Sequence, residues 1–387
     1  MSKPLKLRTQ KAIVGIIGCG YISDAYFKGA KNSSLITVKA CADLHLEVAK
    51  LKAAEYGVIA LTVDDLLNDP DITLVINLTV PLAHAIVSIK ILQAGKHVYS
   101  EKPLSVSFKE ASELMRLAQD RGLRVGCAPD TFMGASHQAC RLLIDSGSIG
   151  QPIGGSVILM SHGMESWHPN PDFFYKTGGG PALDIGPYYI TQLVNLLGPV
   201  VRVAGLATIG NMHRTVTSEP LKGSVITVDV PTTVNGLLEF EMGANISLFF
   251  SWDVWRHSRV SPIEIHCTQG SLLGVNPDFF GNIPRVWHQA SGEWSDLDIS
   301  QHPFGEPNRE LANGRKEADY RTIGLIDMAM AIQQNRPHRA NGDMAMHVLE
   351  VLESLEQSSR TGQFITLQTR SARPEPVPVG HDEYVFI

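Results

Sequence analysis

Long hydrophobic runs and clusters of basic residues are both missing from this sequence. No segment approaches the roughly 20 apolar residues that a membrane-spanning helix requires. The formal net charge is -6 at pH 7 and no run of Lys and Arg occurs, so we expect neither nucleic acid nor a membrane as a partner. Residues 1–11 are polar and basic without an apolar stretch of their own. They do not resemble a secretory signal, which predicts a cytoplasmic protein.

Cysteine is scarce, and its five positions are scattered without a CxxC pair. Such spacing is typical of free, mostly buried thiols in a reducing compartment, and it gives no support for a structural zinc site. The HExxH spacing of a zinc-binding helix is also missing. We therefore predict no metal.

The chain of 387 residues is too long for one comfortable core, so two domains are expected. In the first third, apolar strands alternate with helices of about ten or more residues, which indicates βαβ units. We predict an α/β Rossmann domain, with a doubly wound parallel sheet, over residues 1–130. Its predicted strands are residues 12–17, 35–42, 72–78, 96–100 and 124–128, and its predicted helices are residues 21–31, 46–56, 82–93 and 108–121.

The pattern becomes β-rich after residue 130, and no crossover helices separate most of the later strands. We therefore predict an α+β domain over residues 131–387 with a large, mostly antiparallel open sheet. Helices on one face would leave the other face uncovered, which favours pairing with a second copy as a homodimer or homotetramer. The predicted strands are residues 200–209, 224–229, 233–240, 245–253, 262–267 and 271–275, the predicted helices are residues 134–146, 183–197, 318–334 and 343–361, and residues 369–387 are predicted to be irregular.

A glycine turn follows the first strand at Gly18 and Gly20. Gly18 allows a tight turn, and Gly20 allows the backbone to approach a pyrophosphate at the start of the next helix, where Tyr21 and Ile22 follow. Asp43 ends the second strand, close to the roughly 20-residue spacing expected of the carboxylate that accepts ribose hydroxyls. These residues predict a dinucleotide site.

The choice between NAD and NADP depends on the surroundings of Asp43. Its carboxylate would repel a 2′-phosphate, and the following Leu44 and His45 supply no arginine to bind one. NAD is therefore favoured over NADP.

Lys102 follows the predicted strand 96–100 at the carboxyl edge of the sheet, where open α/β folds bind their ligands. Pro103 disfavours helical geometry at Lys102. A lysine is most often a solvated surface residue. Its place at a strand end, beside the nicotinamide half of the site, favours a catalytic role instead.

Asp184 and Tyr188 are four residues apart and would face the same way on a helix. Pro187 is tolerated in a first helical turn, so we predict that a helix begins near Asp184. Alone, the pair would indicate an N-cap and an ordinary half-buried phenol. The preceding Gly178-Gly179-Gly180 favours a docking site, because three glycines let the backbone lie close to a ligand.

Together these side chains predict hydride transfer to or from a hydroxyl group. We hypothesise that Lys102 holds the substrate hydroxyl and favours the phenolate of Tyr188, which exchanges the proton. Asp184 would orient the sugar or the phenol. The alternative in which Asp184 is itself the base stays open.

The segment 161–170 is dense in polar and aromatic side chains. Trp167 is a natural stacking platform for a sugar ring, and His162 and His168 are candidates for binding substrate hydroxyls. The same histidines would also fit an ordinary polar loop, and metal binding by His162, Glu165 and His168 is disfavoured by their spacing.

The order of these motifs resembles the Gfo/Idh/MocA oxidoreductase family, which includes glucose–fructose oxidoreductase and inositol dehydrogenase, over nearly the whole chain. The resemblance implies NAD(P) binding, oxidation or reduction of a hydroxyl or carbonyl of a sugar, sugar derivative or cyclitol, and oligomers built through the second-domain sheet. The motifs that carry it are Gly18-Cys19-Gly20, residues 79–84, residues 95–98 leading to Glu101-Lys102-Pro103, residues 148–150 and residues 178–188.

Carried over by position, the resemblance also implies two sets of site residues. They are the catalytic Lys102, Asp184 and Tyr188, and the cofactor-lining Thr79, His84, Glu101 and Lys102. The chain departs from the family at Tyr188, where many members have His, and in residues 127–132, which lack an Asn-Arg-rich pattern. The substrate preferences of inositol dehydrogenases are therefore not transferred.

Two further functions fit the same residues. One is a non-catalytic regulator that binds NAD and a sugar, which would not need both Lys102 and a proton-transfer residue. The other is a glycosidase of the same fold that uses tightly held NAD for a transient oxidation.

Overall fold

The computed structural model describes residues 11–258, 261–311 and 314–387. Its N-terminal domain is built on a six-stranded parallel sheet. Its strands are β1 Ala12–Ile17, β2 Ile36–Ala42, β3 Ile59–Leu61, β4 Leu74–Asn77, β5 His97–Ser100 and β6 Val125–Cys127. The accompanying helices are α1 Ser23–Asn32, α2 Leu46–Tyr56, α3 Val63–Asn68, α4 His84–Gln93 and α5 Phe108–Asp120.

The strand order of this sheet is β3-β2-β1-β4-β5-β6, and all pairs are parallel. β4 is buried at every residue, as expected of a strand covered on both faces. The order reverses between β1 and β4, so a crevice opens at their carboxyl ends. The predicted Rossmann sheet is confirmed. β3 and α3 are two short elements that the sequence patterns missed.

The second domain contains a nine-stranded sheet and five helices. The helices are α6 Ala135–Asp145, α7 Gly180–Asp184, α8 Gly186–Leu197, α9 Ile323–Gln334 and α10 Gly342–Thr361. The strands, including four in two separate small ladders, are β7 Pro152–Met160, β8 Val200–Thr208, β9 His213–Thr215, β10 Val225–Thr227, β11 Thr233–Phe240, β12 Asn245–Ser251, β13 Ile263–Cys267, β14 Gly270–Val275, β15 Arg285–His288, β16 Trp294–Asp296, β17 Arg309–Glu310, β18 Lys316–Glu317 and β19 Ile365–Thr366.

The large sheet has the order β16-β15-β14-β13-β7-β12-β11-β8-β19. Every neighbouring pair in it is antiparallel except β7 and β12, which run parallel. The mostly antiparallel prediction is thus confirmed. The parallel pair is possible because α7 and α8 lie in the connection that follows β7.

Three predicted elements differ from the structure. The single helix over residues 183–197 is two helices, because Asp184 ends α7 and Pro187 lies in the first turn of α8. The strand at residues 224–229 belongs to a separate ladder, in which β10 pairs with β9. The helix at residues 318–334 begins only at Ile323, since residues 319–322 form the turn that leads into α9.

The tail is irregular over most of its length, as predicted, but it ends in a 3-10 turn at Glu383–Phe386. Phe386 is buried and stacks on Phe304.

The secretory-signal prediction concerns residues 1–11, of which 1–10 lie outside the described residues. Across the described ranges, no helix has both the length and the apolar character needed to cross a membrane.

Candidate active site

The glycine turn after β1 lies directly against the end of β4. Gly18 has a φ of 99°, and a Cβ at this position would lie 2.6 Å from the carbonyl carbon of Leu78. Only glycine fits there, because the backbone is left-handed and the neighbouring strand is close. A Cβ at Gly20 would meet no atom within 4 Å. Gly20 therefore presents its backbone to open space at the crevice.

Asp43 fixes this turn to the end of β2. Its Oδ2 accepts a hydrogen bond from the Cys19 backbone N–H at 2.9 Å, and its Oδ1 accepts one from the His45 N–H at 3.0 Å. Each carboxylate oxygen has a second lone pair that can accept a ribose hydroxyl. Tyr21 and Leu44 flank the turn with exposed fractions of 90% and 89%. Ile22 is half-buried at the start of α1.

Thr79 and His84 connect the loops that follow β4 and β5. The Thr79 hydroxyl donates to Asn77 Oδ1 at 2.7 Å. The buried ring of His84 places Nδ1 2.6 Å from the carbonyl oxygen of Pro103 and Nε2 2.9 Å from that of Thr79. Burial lowers the pKa of His84. Because both ring nitrogens face backbone oxygens, the contacts of His84 position the loops and leave no nitrogen for a cofactor.

Glu101 is a buried carboxylate at the end of β5. Its Oε1 accepts a hydrogen bond from the Tyr26 hydroxyl at 2.8 Å, and Arg321 lies 3.7 Å from the same oxygen. Its Oε2 accepts the backbone N–H of Lys102 at 3.0 Å. Glu101 thereby holds the residue that follows it.

Lys102, Asp184 and Tyr188 come together where the two domains meet. Lys102 Nζ donates to the Asp184 carbonyl oxygen at 2.5 Å and to Asp184 Oδ1 at 2.9 Å, and it lies 5.3 Å from the centre of the Tyr188 ring. Burial alone would lower the pKa of Lys102, but the charges of Asp184 and Glu101 raise it above its ordinary value. Lys102 is therefore an ammonium with a fixed direction.

The pKa of Tyr188 is raised, and this corrects our expectation that a nearby ammonium would favour the phenolate. Burial of the phenol raises the pKa more than the charges of Arg321 and Lys102 lower it. In the protein alone, the side chain is a protonated phenol at neutral pH.

Gly178, Gly179 and Gly180, at the start of α7, lie close to protein rather than to open space. A Cβ at Gly178, whose φ is 89°, would lie 2.8 Å from Val106, and one at Gly179 would lie 2.3 Å from the Phe174 carbonyl oxygen. Gly178 therefore allows the second domain to pack against the loop after β5, while Gly179 allows close packing within the second domain. They do not by themselves form the docking loop that the sequence suggested.

Arg321, just before α9, is a site residue that no sequence pattern singled out. Its Nη1 lies 3.5 Å from the Tyr188 hydroxyl. The turn that carries it is anchored by Asp130, whose Oδ2 accepts the backbone N–H groups of Thr322 at 3.1 Å and Gly324 at 2.9 Å. Burial raises the pKa of Asp130 to about 6.

Asp278, between β14 and β15, is a second site residue that the sequence did not reveal. Burial raises its pKa to about 6, while the charges of Lys102 and Arg321 act to lower it and that of Asp184 to raise it. Its loop lies near this group of side chains, because the Phe280 N–H donates to the carbonyl of Ala318, three residues before Arg321. One acidic residue in a loop carries no sequence signal that would have found it.

His162, Trp167 and His168 make no direct contact with Lys102 in the described part of the chain. Among the described residues, no hydrogen bond, ion pair or ring contact joins them to Lys102, Asp184 or Tyr188. His162 stacks on Trp255, while Trp167 contacts the ring of His168 and is 63% exposed.

Their loop is held by a buried ion-pair network. Arg214 on β9 contacts Glu165 Oε1 at 2.6 Å and also pairs with Asp253. Glu165 Oε2 accepts the Tyr175 hydroxyl, so this carboxylate is fully engaged. Over the described ranges, no three His, Cys, Asp or Glu side chains are grouped so as to hold a metal ion.

A parallel sheet with an open glycine turn, meeting a lysine, a carboxylate and a phenol from a second domain, defines a two-domain dinucleotide-dependent oxidoreductase. Two family models match the chain in order. The oxidoreductase family with an NAD-binding Rossmann fold matches residues 13–128, and the GFO/IDH/MocA C-terminal domain matches residues 137–273. The chain belongs to the Gfo/Idh/MocA oxidoreductase family, and the predicted NAD(P)-dependent dehydrogenase or reductase is confirmed.

Several known proteins are similar to this chain. The 1,5-anhydro-D-fructose reductase of Ensifer adhaerens is 24% identical over 367 residues, which cover 92% of this chain and 98% of the relative. The dTDP-3,4-didehydro-2,6-dideoxy-alpha-D-glucose 3-reductase of Streptomyces violaceoruber is 31% identical over 59% of this chain and 66% of its own length. The structure of levoglucosan dehydrogenase in complex with NADH and L-sorbose superposes with a TM-score of 0.79 at 19% identity, covering 93% of this chain and 99% of that one.

Proposed function

We propose that this protein transfers hydride between NAD and a hydroxyl or carbonyl carbon of a sugar, a sugar derivative or a cyclitol. The observation that carries the proposal is the Lys102 ammonium, fixed by Asp184 beside the Tyr188 phenol at the carboxyl edge of the Rossmann sheet. The names of the relatives support a carbohydrate substrate, since two of them are reductases of sugar derivatives.

The residues at the crevice fit a dinucleotide. Gly20 leaves room for a pyrophosphate beside its backbone, and Asp43 has lone pairs for ribose hydroxyls. When bound, NAD supplies the hydride acceptor and NADH the hydride donor. The preference for NAD over NADP is supported by the Asp43 carboxylate, which would repel a 2′-phosphate. A ratio of kcat/KM for NAD over NADP below one would contradict it.

Side chains of this protein bind the substrate oxygen and transfer its proton. Lys102 binds the substrate oxygen and stabilises negative charge on it, as a fixed ammonium does. Tyr188 donates the proton during reduction and removes it during oxidation. Asp184 directs the ammonium of Lys102 through the 2.9 Å contact. If Asp184 were instead the base, Asp184→Asn would lower kcat as much as Tyr188→Phe does.

The decisive experiment is a screen of NAD reduction at fixed pH over aldoses, uronates, inositols and glycosides, with NADH oxidation by the matching carbonyl compounds. We expect net turnover with at least one compound and loss of it in Lys102→Met. NAD and sugar binding without turnover would favour the regulator. Glycoside cleavage without net NADH, by cofactor that stays bound through gel filtration, would favour the glycosidase.

We also propose the assembly, the location and the domain limits of the protein. The outer face of the nine-stranded sheet would form a homodimer or homotetramer, supported by the exposed Leu206 and Leu237 on it. A cytoplasmic location is supported by five buried, unpaired thiols. A division near residue 130 is supported by the end of the parallel sheet at Cys127. Sedimentation of the wild-type protein tests the assembly. Separate expression of residues 131–387 tests the domain limits.

A further inference from the structure

The backbone on either side of Asp278 is held by the framework of the second domain. His137 Nε2 lies 2.7 Å from the Phe279 carbonyl oxygen, and the Phe280 N–H donates to the Ala318 carbonyl at 3.2 Å. The Asp278 N–H donates to Asn276 Oδ1 at 3.1 Å. The position of this carboxylate is therefore set by its neighbours and not by bonds that it makes itself.

One oxygen of the Asp278 carboxylate is buried without a hydrogen-bond partner within the described ranges. Asp278 Oδ1 is shielded from solvent and has no hydrogen-bond partner among the described residues. An unsatisfied buried acceptor costs about 1–3 kcal/mol, and more for a charged group. Natural proteins keep few such groups, and a catalytic contact, a water, an ion or a ligand supplies the missing partner. A purely structural aspartate would instead resemble Asp130, which accepts two backbone N–H groups.

The charges around the pocket show what Asp278 can bind. The Lys102 ammonium is directed at Asp184, and the Arg321 guanidinium faces Glu101. Each of these two cations thus has its own carboxylate. Asp278 is a third carboxylate, and no ion pair joins it to a cation in the described part of the chain. The three carboxylates therefore outnumber the two cations, and Asp278 Oδ1 is an unused hydrogen-bond acceptor.

We propose that Asp278 binds a hydroxyl group of the substrate beside the reacting carbon and selects neutral polyols over sugar acids and sugar phosphates. This inference rests on the proposed function and deepens it. A hydroxyl supplies the donor that Oδ1 lacks. A substrate carboxylate or phosphate would add a further anion to a group that already holds three carboxylates and two cations, and its repulsion from the half-buried Asp278 carboxylate is unfavourable.

The test is Asp278→Asn, which keeps the side-chain size and removes the charge. NAD-saturated protein is titrated with glucose, myo-inositol, glucuronate and glucose 6-phosphate, and kcat and KM are measured for every compound that turns over. We expect the dissociation constant and the KM of the preferred neutral polyol to rise at least about 10-fold. The ratio of neutral to anionic affinity should fall by at least the same factor.

The control is Asp296→Asn on the exposed strand β16, which should change none of these values. The proposal is overturned if Asp278→Asn binds the neutral polyol as tightly as wild type does. It is also overturned if the wild-type protein prefers the anionic compounds. If Asp278→Asn fails to fold, Asp278→Ser is measured in the same way against the same limits. Polyol binding by wild type without turnover would refute the proposed function, while the binding comparison would still decide the role of Asp278.

Discussion

At the scale of single residues, opposing forces set the protonation states of Lys102 and Tyr188. Burial disfavours the ammonium of Lys102, but the carboxylates of Asp184 and Glu101 outweigh it. Burial also outweighs the two cations beside Tyr188 and keeps the phenol protonated. At neutral pH the site therefore holds an ammonium next to a phenol, which is the arrangement that delivers a proton to a carbonyl oxygen during reduction.

Tyr188→Phe should abolish proton exchange without disturbing the cofactor site. We expect kcat to fall by roughly 10²–10⁴-fold in both directions, with an unchanged NAD dissociation constant. Tyr189→Phe is the matched control, because Tyr189 is a neighbouring buried phenol on the same helix whose ring contacts Phe250. Steady-state kinetics and NAD titration provide the measurement, and wild-type turnover in Tyr188→Phe would remove the residue from the mechanism.

The raised pKa of Tyr188 also predicts how the rate depends on pH. Oxidation needs the deprotonated phenol, so its kcat should rise with pH on the alkaline side of neutrality, while the kcat of reduction should fall. The charged groups that act on the phenol are Arg321, Lys102, Glu101 and Asp278. Rate profiles between about pH 6 and 10 test this, and an oxidation rate that falls as the pH rises above neutral contradicts it.

Gly18 and Gly20 should respond differently to the same added methyl group. Gly18→Ala places a Cβ against Leu78 at a left-handed φ, so we expect a loss of stability of about 2 kcal/mol or more. The methyl group added in Gly20→Ala meets no protein atom, so the melting temperature should stay unchanged. NAD affinity should fall about 10-fold or more if the pyrophosphate lies against the backbone of Gly20. Thermal melting and NAD titration measure both. Undiminished NAD affinity in Gly20→Ala would mean that the turn does not hold the cofactor.

At the scale of secondary-structure elements, the break between α7 and α8 explains how the site forms. The sequence predicted that Asp184 and Tyr188 share one helix, yet they lie on consecutive helices. Asp184 is the last residue of α7, and its backbone carbonyl is free to accept the Lys102 ammonium. Local patterns therefore singled out two residues that the structure places beside Lys102, but they could not reveal the helix end between them.

The strand–helix alternation and the glycine turn were predictable, because their signals lie within a few neighbouring residues. Arg321 and Asp278 were not predictable. Each reaches the site only through long-range packing, Arg321 through the anchoring of α9 by Asp130 and Asp278 through the connection between β14 and β15. The one parallel pair of the large sheet, β7 with β12, depends in the same way on the folded topology.

The buried network around Arg214 should control the order of the loop that carries Trp167. Arg214→Leu leaves Glu165 and Asp253 without their cation, so we expect a loss of about 3–5 kcal/mol of stability and faster proteolysis within residues 161–170. Arg116→Leu breaks an exposed pair with Asp120 and should cost less than about 1 kcal/mol. Denaturant unfolding with limited proteolysis compares the two variants. Equal stability losses would show that the buried network has no special role.

At the scale of the whole molecule, the second domain closes back onto the Rossmann sheet. The Cys127 N–H donates to the Ala340 carbonyl at 3.0 Å, and Gly126 forms a bridge with Asn341 ahead of α10. The end of β6 is therefore joined to the last two helices, and the turn before α9 carries Arg321 to Tyr188. The site lies where the two domains meet and combines Lys102 of the first with Asp184, Tyr188 and Arg321 of the second.

The outer face of the nine-stranded sheet carries exposed apolar side chains, among them Leu206 and Leu237. Alternate residues of its strands point away from the helices. One row of neighbouring residues on this face runs across the sheet in the order Leu206, Asn235, Phe249 and Ile158. This row crosses four strands, and Leu237 lies beside it with an exposed fraction of 54%. A mainly uncharged row on an uncovered sheet is typical of a surface that a second copy buries.

The double variant Leu206→Lys and Leu237→Lys should weaken that association at least about 100-fold, because a symmetric contact would bring four new ammonium groups together out of water. Sedimentation velocity at micromolar concentration should show a dimer or tetramer for wild type and a monomer for the variant. Leu51→Lys, at an equally exposed leucine on α2, should leave the mass unchanged. NAD affinity should be the same in all three proteins, since the crevice lies on the other sheet. A monomeric wild type, or an unchanged mass in the double variant, would exclude this face as the subunit interface.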